Sequence, residues 1–454
     1  MVVMEPDADI TMPDDQILAR GRDMLELIRA ASRSGSASVQ WRDWLLDWSM
    51  RHEGLKRRMF SFISSLPDAD TPRAFGALLK EYFTGHADVP WLLRTVARVA
   101  CLAGPSAMRI LQPMVQRRAE EMARRFIVGS TVGRTVENLG RLRTRGYAFT
   151  LDVLGESART EAQGESYVRT YLKLLNRLGA AQDGWAGLVS GGQLDWGSAP
   201  RINVSIKPSA LAPGGDLGAM FDRAGRIYQK VVELGGQLCV DMESLQLKDA
   251  TYKLYRRLRT DVRFGDYDHL TLAVQTYLRD TDGDLAGLLD WAKARGTRIS
   301  VRLVKGAYWD SEVAAAEARG QAPPVYTIKS ETDAAFERAA VAILRNSDIC
   351  HLACASHNIR SVCAVLETAR AMGVAPGGYE FQLLYGMARP LRNALVQTTA
   401  RVRLYCPCGD MLTGMAYLVR RLQENSSNES ILRQEFAPDA DPADLLANPA
   451  AQVS

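Results

Sequence analysis

Two stretches of this chain carry cationic side chains at spacings that suit the binding of anions. Residues 301–310 read VRLVKGAYWD, an apolar strand pattern that bears Arg302 and Lys305 and breaks at Gly306. Residues 417–424 follow a helical pattern, and the side chains that share one helical face are Tyr417, Arg420, Arg421 and Glu424. Because the planar fork of arginine suits bidentate capture of a carboxylate, the two stretches predict a site for a small anionic substrate and a large anionic cofactor. A surface arginine pair bonded to Glu424 remains the alternative for the helix.

The elements that must position these side chains alternate between two patterns from residue 147 onward. Stretches with helical periodicity separate short β-rich runs, which lie at 147–153, 201–207, 237–241, 270–275, 298–305, 351–356, 379–383 and 402–406. Strand–helix units repeated over this length predict an α/β fold, a (β/α)8 TIM-like barrel. The alternative is a doubly wound open sheet, which normally carries a glycine-rich dinucleotide turn. Neither GxGxxG nor GxxxxGK[ST] occurs in the chain, so the barrel is favoured.

Polar residues recur at the carboxyl ends of the predicted strands. In a parallel barrel these ends meet at one mouth, where catalytic residues lie. One polar residue at one strand end is usually a cap or a loop contact, but buried charges are costly unless paired or liganded, and here they recur around the whole barrel. We therefore expect a polar mouth with anion-binding character. Its residues are Asp152, Lys207, Asp241, Gln275, Arg302, Lys305, His357, Gln382 and Tyr405.

The chain divides into three predicted segments. Residues 1–130 show helical periodicity broken by prolines, with helices expected at 16–31, 41–64, 73–83 and 113–127, and predict an all-helical arm and lid. Residues 131–425 are expected to form the barrel. Residues 426–454 are rich in Ala, Pro and Asp and predict a linker-like tail.

Composition excludes several classes of protein. The formal net charge is +4, and 56 basic residues are interleaved with 52 acidic ones, so no basic stripe indicates nucleic-acid binding. Seven cysteines, an odd number without disulfide or zinc spacing, predict reduced thiols and no metal site. The acidic start is no signal peptide, and no apolar run approaches the roughly 18 residues that a membrane span needs. We expect a cytoplasmic protein, with peripheral contact at the inner face of the membrane left open.

Short motifs follow one another along this strand–helix pattern, from its first strand onward. They are LDVLGE at 151–156, VSIK at 204–207, VDMES at 240–244, VQTY at 274–277, VRLVKGAYWDSE at 301–312, PVYT at 324–327, SHN at 356–358, YEFQ at 379–382 and YLVRR at 417–421. This ordered set resembles the proline dehydrogenase module of the bifunctional bacterial proline-utilisation flavoenzymes. The resemblance covers residues 126–425, and the N-terminal helices resemble the family's arm only weakly.

The resemblance implies FAD bound across the barrel mouth. The residues it implies in catalysis are Arg302, Lys207, Asp241 and Tyr308. Those it implies in contact with FAD are Asp241, Gln275, Arg302, Val304, Lys305, Gly306, Ala307, Thr327, Lys329, His357, Asn358, Gln382, Arg421 and Glu424. Those it implies around the substrate are Lys207, Ala307, Tyr308, Leu384, Tyr405, Tyr417, Arg420, Arg421 and Glu156. In this arrangement Arg302 lies near flavin N5, Lys207 and the two arginines hold a carboxylate, and Glu156 closes a gate by pairing with Arg420.

The activity implied is that of a proline dehydrogenase, an FAD-dependent oxidoreductase of proline catabolism that acts on a CH–NH donor. L-Proline would become Δ1-pyrroline-5-carboxylate by hydride transfer from proline C5 to flavin N5, with electrons passed to a membrane quinone. Full-length relatives carry an aldehyde dehydrogenase module, which would follow Ser454, and we expect no NAD reduction by this chain. The chain departs from the family pattern at Pro208, Tyr385 and 406–408, which affects the shape of the pocket but removes no catalytic group.

Two other functions stay open at the level of sequence. One is another TIM-barrel enzyme that acts on a small anionic substrate, with Lys207 as a Schiff-base lysine. The other is a non-catalytic barrel, either a scaffold or a DNA-binding module. Some relatives bind DNA through an N-terminal ribbon-helix-helix domain, but this N-terminus has no basic strand for such a motif, so no nucleic-acid partner is expected.

Overall fold

The structure is a computed structural model that describes residues 14–33, 53–66, 69–155, 157–189, 194–399, 401–410, 414 and 442–452. Ahead of the sheet lie the helices α1 (Asp14–Arg33), α2 (Glu53–Ser65), α3 (Pro72–Leu79), α4 (Trp91–Leu102), α5 (Gly104–Ala123) and α6 (Val132–Arg143). A turn of π-helix, Lys80–Thr84, continues α3.

The described part of the chain contains a closed barrel of eight parallel strands in chain order, in which β8 pairs with β1. The strands are β1 (Ala148–Val153), β2 (Asn203–Ile206), β3 (Gln237–Val240), β4 (Leu270–Gln275), β5 (Ile299–Val304), β6 (Cys350–Ala355), β7 (Tyr379–Leu384) and β8 (Val402–Cys408). The predicted (β/α)8 barrel is therefore confirmed, and each predicted strand coincides with an observed one to within two residues at either end.

Helices connect the strands and cover the barrel. They are α7 (Glu161–Gln182), α8 (Leu217–Glu233), α9 (Leu245–Arg259), α10 (Thr281–Arg295), α11 (Trp309–Ala318), α12 (Lys329–Arg345), α13 (Ile359–Ala371) and α14 (Arg389–Thr399). Short turns of helix lie at Pro208–Leu211, Pro213–Gly215 and Pro376–Gly378, and α15 (Pro442–Leu446) and a last turn, Pro449–Gln452, follow the barrel.

Alternation along each strand separates the apolar core from the polar interior of the barrel. In β1, Phe149 and Leu151 belong to the apolar core between strands and helices. Their neighbours point the other way, and Thr150 contacts the Ser205 hydroxyl of β2 at 3.1 Å. Because successive strand side chains face opposite sides, a chain that keeps every second position apolar can fill the barrel with polar groups.

Local sequence signals set where the helices begin. The side-chain hydroxyl of Thr160 accepts a hydrogen bond from the Gln163 backbone N–H at 3.3 Å, and the side-chain Oε1 of Gln163 accepts one from the Thr160 backbone N–H at 3.2 Å. This reciprocal pair is a capping box, and it satisfies two backbone N–H groups at the start of α7. Asp216 caps α8 in the simpler way, through the Ala219 N–H at 2.6 Å. Each helix thus starts shortly after a strand ends.

Residues 41–52 of the helix predicted at 41–64 lie outside the described residues. Elsewhere the arm differs from its predicted helices in two respects. Helix α5 begins at Gly104 rather than at 113 and contains Pro113. Its buried face holds Met108 and Gln112, and the Gln112 amide donates to the Ala69 carbonyl at 2.7 Å, so packing outweighs the cost of an internal proline. Helix α4 was not predicted, because apolar residues lie on its exposed face as well as its buried one and hide the helical period.

The arm packs as two parts against the barrel. Helices α2–α5 share an apolar cluster that extends to Leu154, Leu384 and Met387 at the carboxyl ends of β1 and β7. Helix α1 instead joins the barrel's own apolar core through Ile17, Met24 and Ile28. The arm thus covers part of the mouth, while α1 packs on α13 and α14 at the side of the barrel.

The segment after the barrel returns to the same side. The guanidinium of Arg360, which is buried on α13, bonds to Glu337 of α12, to Asp14 of α1 and to the Leu446 carbonyl of α15. Leu446 is buried against Gly21. One buried arginine therefore ties together the start of α1, the end of α15 and two helices of the barrel.

Candidate active site

Arg302 lies at the centre of the barrel, just below the carboxyl-end mouth. It occupies an inward position of β5, and only 3% of its surface is exposed. Its Nε donates to Gln382 at 2.7 Å and its Nη2 to Ser205 at 2.9 Å, while Nη1 pairs with the Asp241 carboxylate. Burial lowers the pKa of a guanidinium, but the surrounding groups outweigh it and hold the pKa of Arg302 above its usual value. The barrel therefore contains a fixed positive charge beneath its mouth.

Asp241 links this charge to an aromatic ring at the mouth. One carboxylate oxygen accepts from Arg302, and the other accepts from the Tyr405 hydroxyl at 2.8 Å. The Arg302 guanidinium carbon lies 5.2 Å from the centre of the Tyr405 ring. Such an arrangement orients the phenol and partly neutralises the arginine. The structure thus brings together three residues that the sequence predicted at the site.

Lys207, whose side chain is partly exposed, forms an ion pair with the buried Asp152 near the end of β1. Burial alone would lower the pKa of Lys207, but the carboxylates of Asp152 and Asp241 outweigh burial and raise this pKa well above its usual range. The backbone N–H of Lys207 donates to the Tyr167 hydroxyl at 3.1 Å, which fixes the chain where β2 ends. Lys207 is consequently an ammonium ion at neutral pH, suited to holding a carboxylate.

A third cationic cluster lies where β5 ends and α12 begins. Lys305 and Lys329 both donate to the carboxylate of Asp333, which lies one turn into α12. Burial lowers the pKa of Lys305, although Asp333 opposes this. Two ammonium groups share one carboxylate, so the cluster keeps a net positive charge at the mouth. Such a charge suits a phosphate-bearing ligand.

The loop after β5 must pass close to an aromatic ring. Gly306 has φ +141°, and a Cβ there would lie 2.5 Å from the ring of Tyr277. Only glycine fits this approach, which is why the strand pattern breaks at that residue. Ala307, exposed, and Tyr308, half-buried, follow at the mouth, as does the half-buried Val304 before them. The predicted positions from 304 to 308 therefore lie together at the end of β5.

Gln275 at the end of β4 has one amide atom without a partner. Its Nε2 donates to the Glu243 carbonyl at 2.8 Å, whereas its buried Oε1 has no hydrogen-bond partner among the described residues. The Glu243 carboxylate accepts from the backbone and the hydroxyl of Ser209, both at 2.7 Å. Burial raises the pKa of Glu243, and the two Ser209 bonds oppose this. An unpaired buried acceptor is costly, so Gln275 Oε1 is placed to receive a donor from a ligand.

At the ends of β6 and β7, the predicted side chains bond mainly to the protein backbone. His357 Nε2 accepts the Leu384 backbone N–H at 3.0 Å, so this nitrogen is the unprotonated one. The Asn358 side-chain oxygen caps α13 by accepting a hydrogen bond from the Ser361 N–H at 2.9 Å. This oxygen therefore has a partner within the protein. Thr327 is exposed in the loop before α12. His357 and Asn358 follow β6 directly, and the contacts of all three residues with a cofactor remain predictions.

Several predicted residues lie outside the part of the chain that the structure describes. They are the gate residue and the helix after β8: Glu156, Tyr417, Arg420, Arg421 and Glu424. Their roles remain predictions from the resemblance.

Sequence reasoning missed the groups that hold the predicted ones in place. Thr150 and Ser205 bond the Arg302 guanidinium, Asp333 pairs with both lysines, and Glu380 bonds Gln382. The signal that would have found most of them is a polar residue two positions before a predicted one, as in TLD, SIK and EFQ. Such a residue shares the inner face of the barrel with the predicted residue two positions later, because side chains alternate along a strand.

A closed parallel barrel whose carboxyl-end mouth carries paired cations and carboxylates is the site architecture of (β/α)8-barrel enzymes. Comparison with family models makes this class specific. The proline dehydrogenase model matches residues 135–434, and the proline utilization A N-terminal domain model matches residues 14–126. The chain belongs to the proline dehydrogenase family.

Individual relatives agree with this assignment. The chain is 30% identical to the proline dehydrogenase of Deinococcus radiodurans over 71% of its own length and 94% of that protein's. It is 30% identical to the bifunctional protein PutA of Escherichia coli over 78% of its own length but 27% of that protein's. The chain spans about a quarter of the length of the first curated relatives that it matches.

Solved structures match the fold. The proline utilization A structure from Bdellovibrio bacteriovorus, inactivated by N-propargylglycine, superposes with a TM-score of 0.84 at 33% identity, covering 97% of this chain and 44% of that one. A Bradyrhizobium japonicum proline utilization A mutant superposes with a TM-score of 0.71 at 25% identity, covering 97% of this chain and 46% of that one. The helical arm and the barrel thus occur together in these relatives.

Proposed function

We propose that this chain oxidises L-proline to Δ1-pyrroline-5-carboxylate, with FAD as the hydride acceptor and a membrane quinone as the final acceptor of electrons. The observation that carries the proposal is the buried guanidinium of Arg302, held by Asp241, Gln382 and Ser205 directly beneath the barrel mouth. A rigid positive charge in a low-dielectric site stabilises negative charge that develops during a reaction.

The residues at the mouth fit FAD. Gln275 Oε1 is a buried acceptor in need of a donor, and the Lys305–Lys329 cluster supplies positive charge for a diphosphate. These residues, with Arg302 and His357, would hold the cofactor. FAD would supply a hydride acceptor, which no side chain of the protein can provide.

The chain's own groups would bind and orient the substrate. Lys207, cationic because of Asp152, would receive the proline carboxylate at the end of β2. Tyr405, whose hydroxyl is held by Asp241, and Leu384 would border the apolar ring. Arg420 and Arg421, which are outside the described residues, would complete the carboxylate site. Catalysis in this arrangement comes mainly from positioning and fixed charge.

The Schiff-base alternative is disfavoured by the state of Lys207. A lysine that attacks a carbonyl must be a neutral amine, and such lysines have a lowered pKa. The pKa of Lys207 is raised instead, because Asp152 stabilises the ammonium form. Lys305 has the lowered pKa, but its amine is engaged by Asp333.

The experiment that tests the proposed function is a spectrum followed by an assay. The purified full chain should show flavin absorbance after incubation with FAD, and L-proline should bleach that absorbance under anaerobic conditions. An artificial dye or a soluble quinone should restore it. Failure to retain FAD, or retention of FAD without bleaching by proline, would overturn the proposal. Two compounds serve as controls: D-proline, which carries its carboxylate with the opposite stereochemistry, and pyrrolidine, which has no carboxylate.

The quinone part of the proposal requires contact with a membrane surface. None of the described helices is long and apolar enough to cross a membrane. The hairpin of α4 and α5 exposes large apolar side chains, and Trp91 and Leu102 are 71% and 86% exposed. The other exposed large apolar side chains of this hairpin are Leu92, Leu93, Val96, Val99, Ile110 and Met114. Residues 89–119 hold five arginines and no acidic residue. Apolar side chains beside positive charge suit the surface of an anionic lipid bilayer.

Replacing Leu92 and Val99 together by Ser should weaken binding to vesicles that contain phosphatidylglycerol by about tenfold or more, since two apolar side chains are lost from the buried face. The measurement is co-sedimentation of the full chain with vesicles. Val262→Ser is the matched control, because Val262 is almost fully exposed in the loop after α9 and outside the hairpin. Equal binding by all three proteins would show that the hairpin is not the lipid-binding face.

A further inference from the structure

A second buried ion pair lies deeper in the barrel than Arg302. Glu380 of β7 and Arg403 of β8 are joined by two hydrogen bonds, Nε to Oε1 at 2.8 Å and Nη2 to Oε2 at 3.1 Å. Arg403 is fully buried, and its Nη1 donates to the Phe149 carbonyl of β1 at 2.8 Å. Burial raises the pKa of a carboxyl, but Arg403 outweighs it and holds the pKa of Glu380 below its usual value. Glu380 is therefore a carboxylate at neutral pH.

Gln382 connects this pair to the active-site arginine. Its Nε2 donates to Glu380 Oε1 at 2.7 Å, and its Oε1 accepts from Arg302 Nε at 2.7 Å. Glu380 and Gln382 are two positions apart on β7 and share the inner face of the barrel. A continuous chain of hydrogen bonds thus runs from Arg403 through Glu380 and Gln382 to Arg302.

The carboxylate decides which way the Gln382 amide points. A glutamine side chain presents either its oxygen or its nitrogen to a neighbour, and the neighbours select the orientation. Ionised Glu380 only accepts hydrogen bonds, so the Gln382 nitrogen faces it. The oxygen must then face Arg302, where it accepts from a guanidinium that only donates. The reversed amide would place a donor against Arg302 and an acceptor against Glu380.

Space for this contact comes from the neighbouring strands. In the barrel register Arg302 pairs with Ala273 of β4 and with Ala353 of β6. Both flanking side chains on the inner face are single methyl groups. The Arg302 side chain therefore crosses β6 to reach Gln382 on β7, and its Nε position depends on that acceptor.

We propose that Glu380 and Arg403 are positioning residues for the reaction: they fix the Gln382 amide, and through it they set the plane and position of the Arg302 guanidinium beneath the cofactor. The inference rests on the proposed function, in which Arg302 lies beside bound FAD. It assigns a catalytic consequence to an ion pair that touches neither substrate nor cofactor.

The test replaces the pair without leaving a buried charge. In Glu380→Gln/Arg403→Gln the carboxylate that selects the amide orientation is gone, and the interior stays electrically neutral. Flavin reduction at saturating L-proline should slow about tenfold, the effect of one misdirected charge-assisted hydrogen bond. The flavin reduction potential should fall, and the Kd of a proline analogue that is bound but not oxidised should change less than about twofold.

Gln382→Leu separates this role from a purely structural one. It removes the acceptor, so it should slow flavin reduction by itself. Adding Glu380→Gln/Arg403→Gln to it should cause no further slowing, because the pair acts through Gln382. If the pair only stabilises the barrel, its replacement will lower the unfolding midpoint with the reduction rate and potential unchanged. That outcome, or additive slowing in the combined variant, would overturn the inference.

Two further variants keep the test decisive. Should the double replacement fail to fold, Arg403→Lys retains the charge but loses the Nε donor, and a smaller slowing of roughly threefold is expected on the same grounds; no slowing contradicts the inference. Arg302→Met is the reference. If it leaves flavin reduction unchanged, the proposed role of Arg302 fails. If it slows reduction while the Glu380 and Gln382 variants do not, only the positioning inference fails.

Discussion

Arg302→Met is expected to lower the rate of flavin reduction at saturating L-proline by about two to three orders of magnitude, the effect of removing one preorganised charge from a water-excluded site. Methionine keeps much of the aliphatic stem and removes the guanidinium that bonds Asp241, Gln382 and Ser205. The measurement is anaerobic stopped-flow reduction of the FAD-loaded chain. We also expect a lower flavin reduction potential, because a positive charge that favours the anionic reduced ring is lost.

The control for this prediction is the affinity for an unreactive proline analogue. Arg302 is assigned to the cofactor side of the site, so the Kd of the analogue should change little in Arg302→Met. Arg302→Lys keeps the charge but not the planar fork, and it should recover only part of the rate. A variant that loses the analogue but reduces its flavin at the normal rate would show that Arg302 binds the substrate carboxylate instead.

Lys207→Met is expected to raise the KM for L-proline by about two to three orders of magnitude, since a buried charged contact to the carboxylate contributes 2–5 kcal/mol. FAD content and the flavin spectrum should stay nearly unchanged, because Lys207 is assigned to the substrate side. The measurements are steady-state kinetics with a dye and the ratio of flavin to protein.

The partner of Lys207 requires its own control. Without Lys207, Asp152 would be a buried carboxyl without its cation, and burial already raises the pKa of Asp152. The double variant Lys207→Met/Asp152→Asn removes that charge. If its unfolding midpoint matches that of the unaltered chain while KM stays high, the effect is on substrate binding. Normal KM in both variants would refute the assignment of Lys207.

The sequence by itself determined the architecture of this protein. Strands such as β4 and β5 are short stretches in which side chains are either alternately apolar and polar or continuously apolar, and helical stretches separate them. This repeat predicts a barrel without any distance information. The barrel rule then places Lys207, Asp241, Gln275 and Arg302 at or below one mouth. Motif resemblance pointed to the family that the comparisons show.

Only the tertiary structure decided which of these groups bond to one another. Closing the barrel brings Arg302 to Thr150, 152 positions away, to Ser205 and Gln382 on two other strands, and to Asp241, which directly follows β3. Asp333 meets Lys305 because the N-terminal part of α12 returns to the end of β5. Sequence patterns record which face of a strand a side chain occupies, and this depends on neighbours two residues away. Hydrogen-bond partners across the barrel depend on strand register and closure, which long-range packing sets, so the network around Arg302 could not be predicted from the pattern alone.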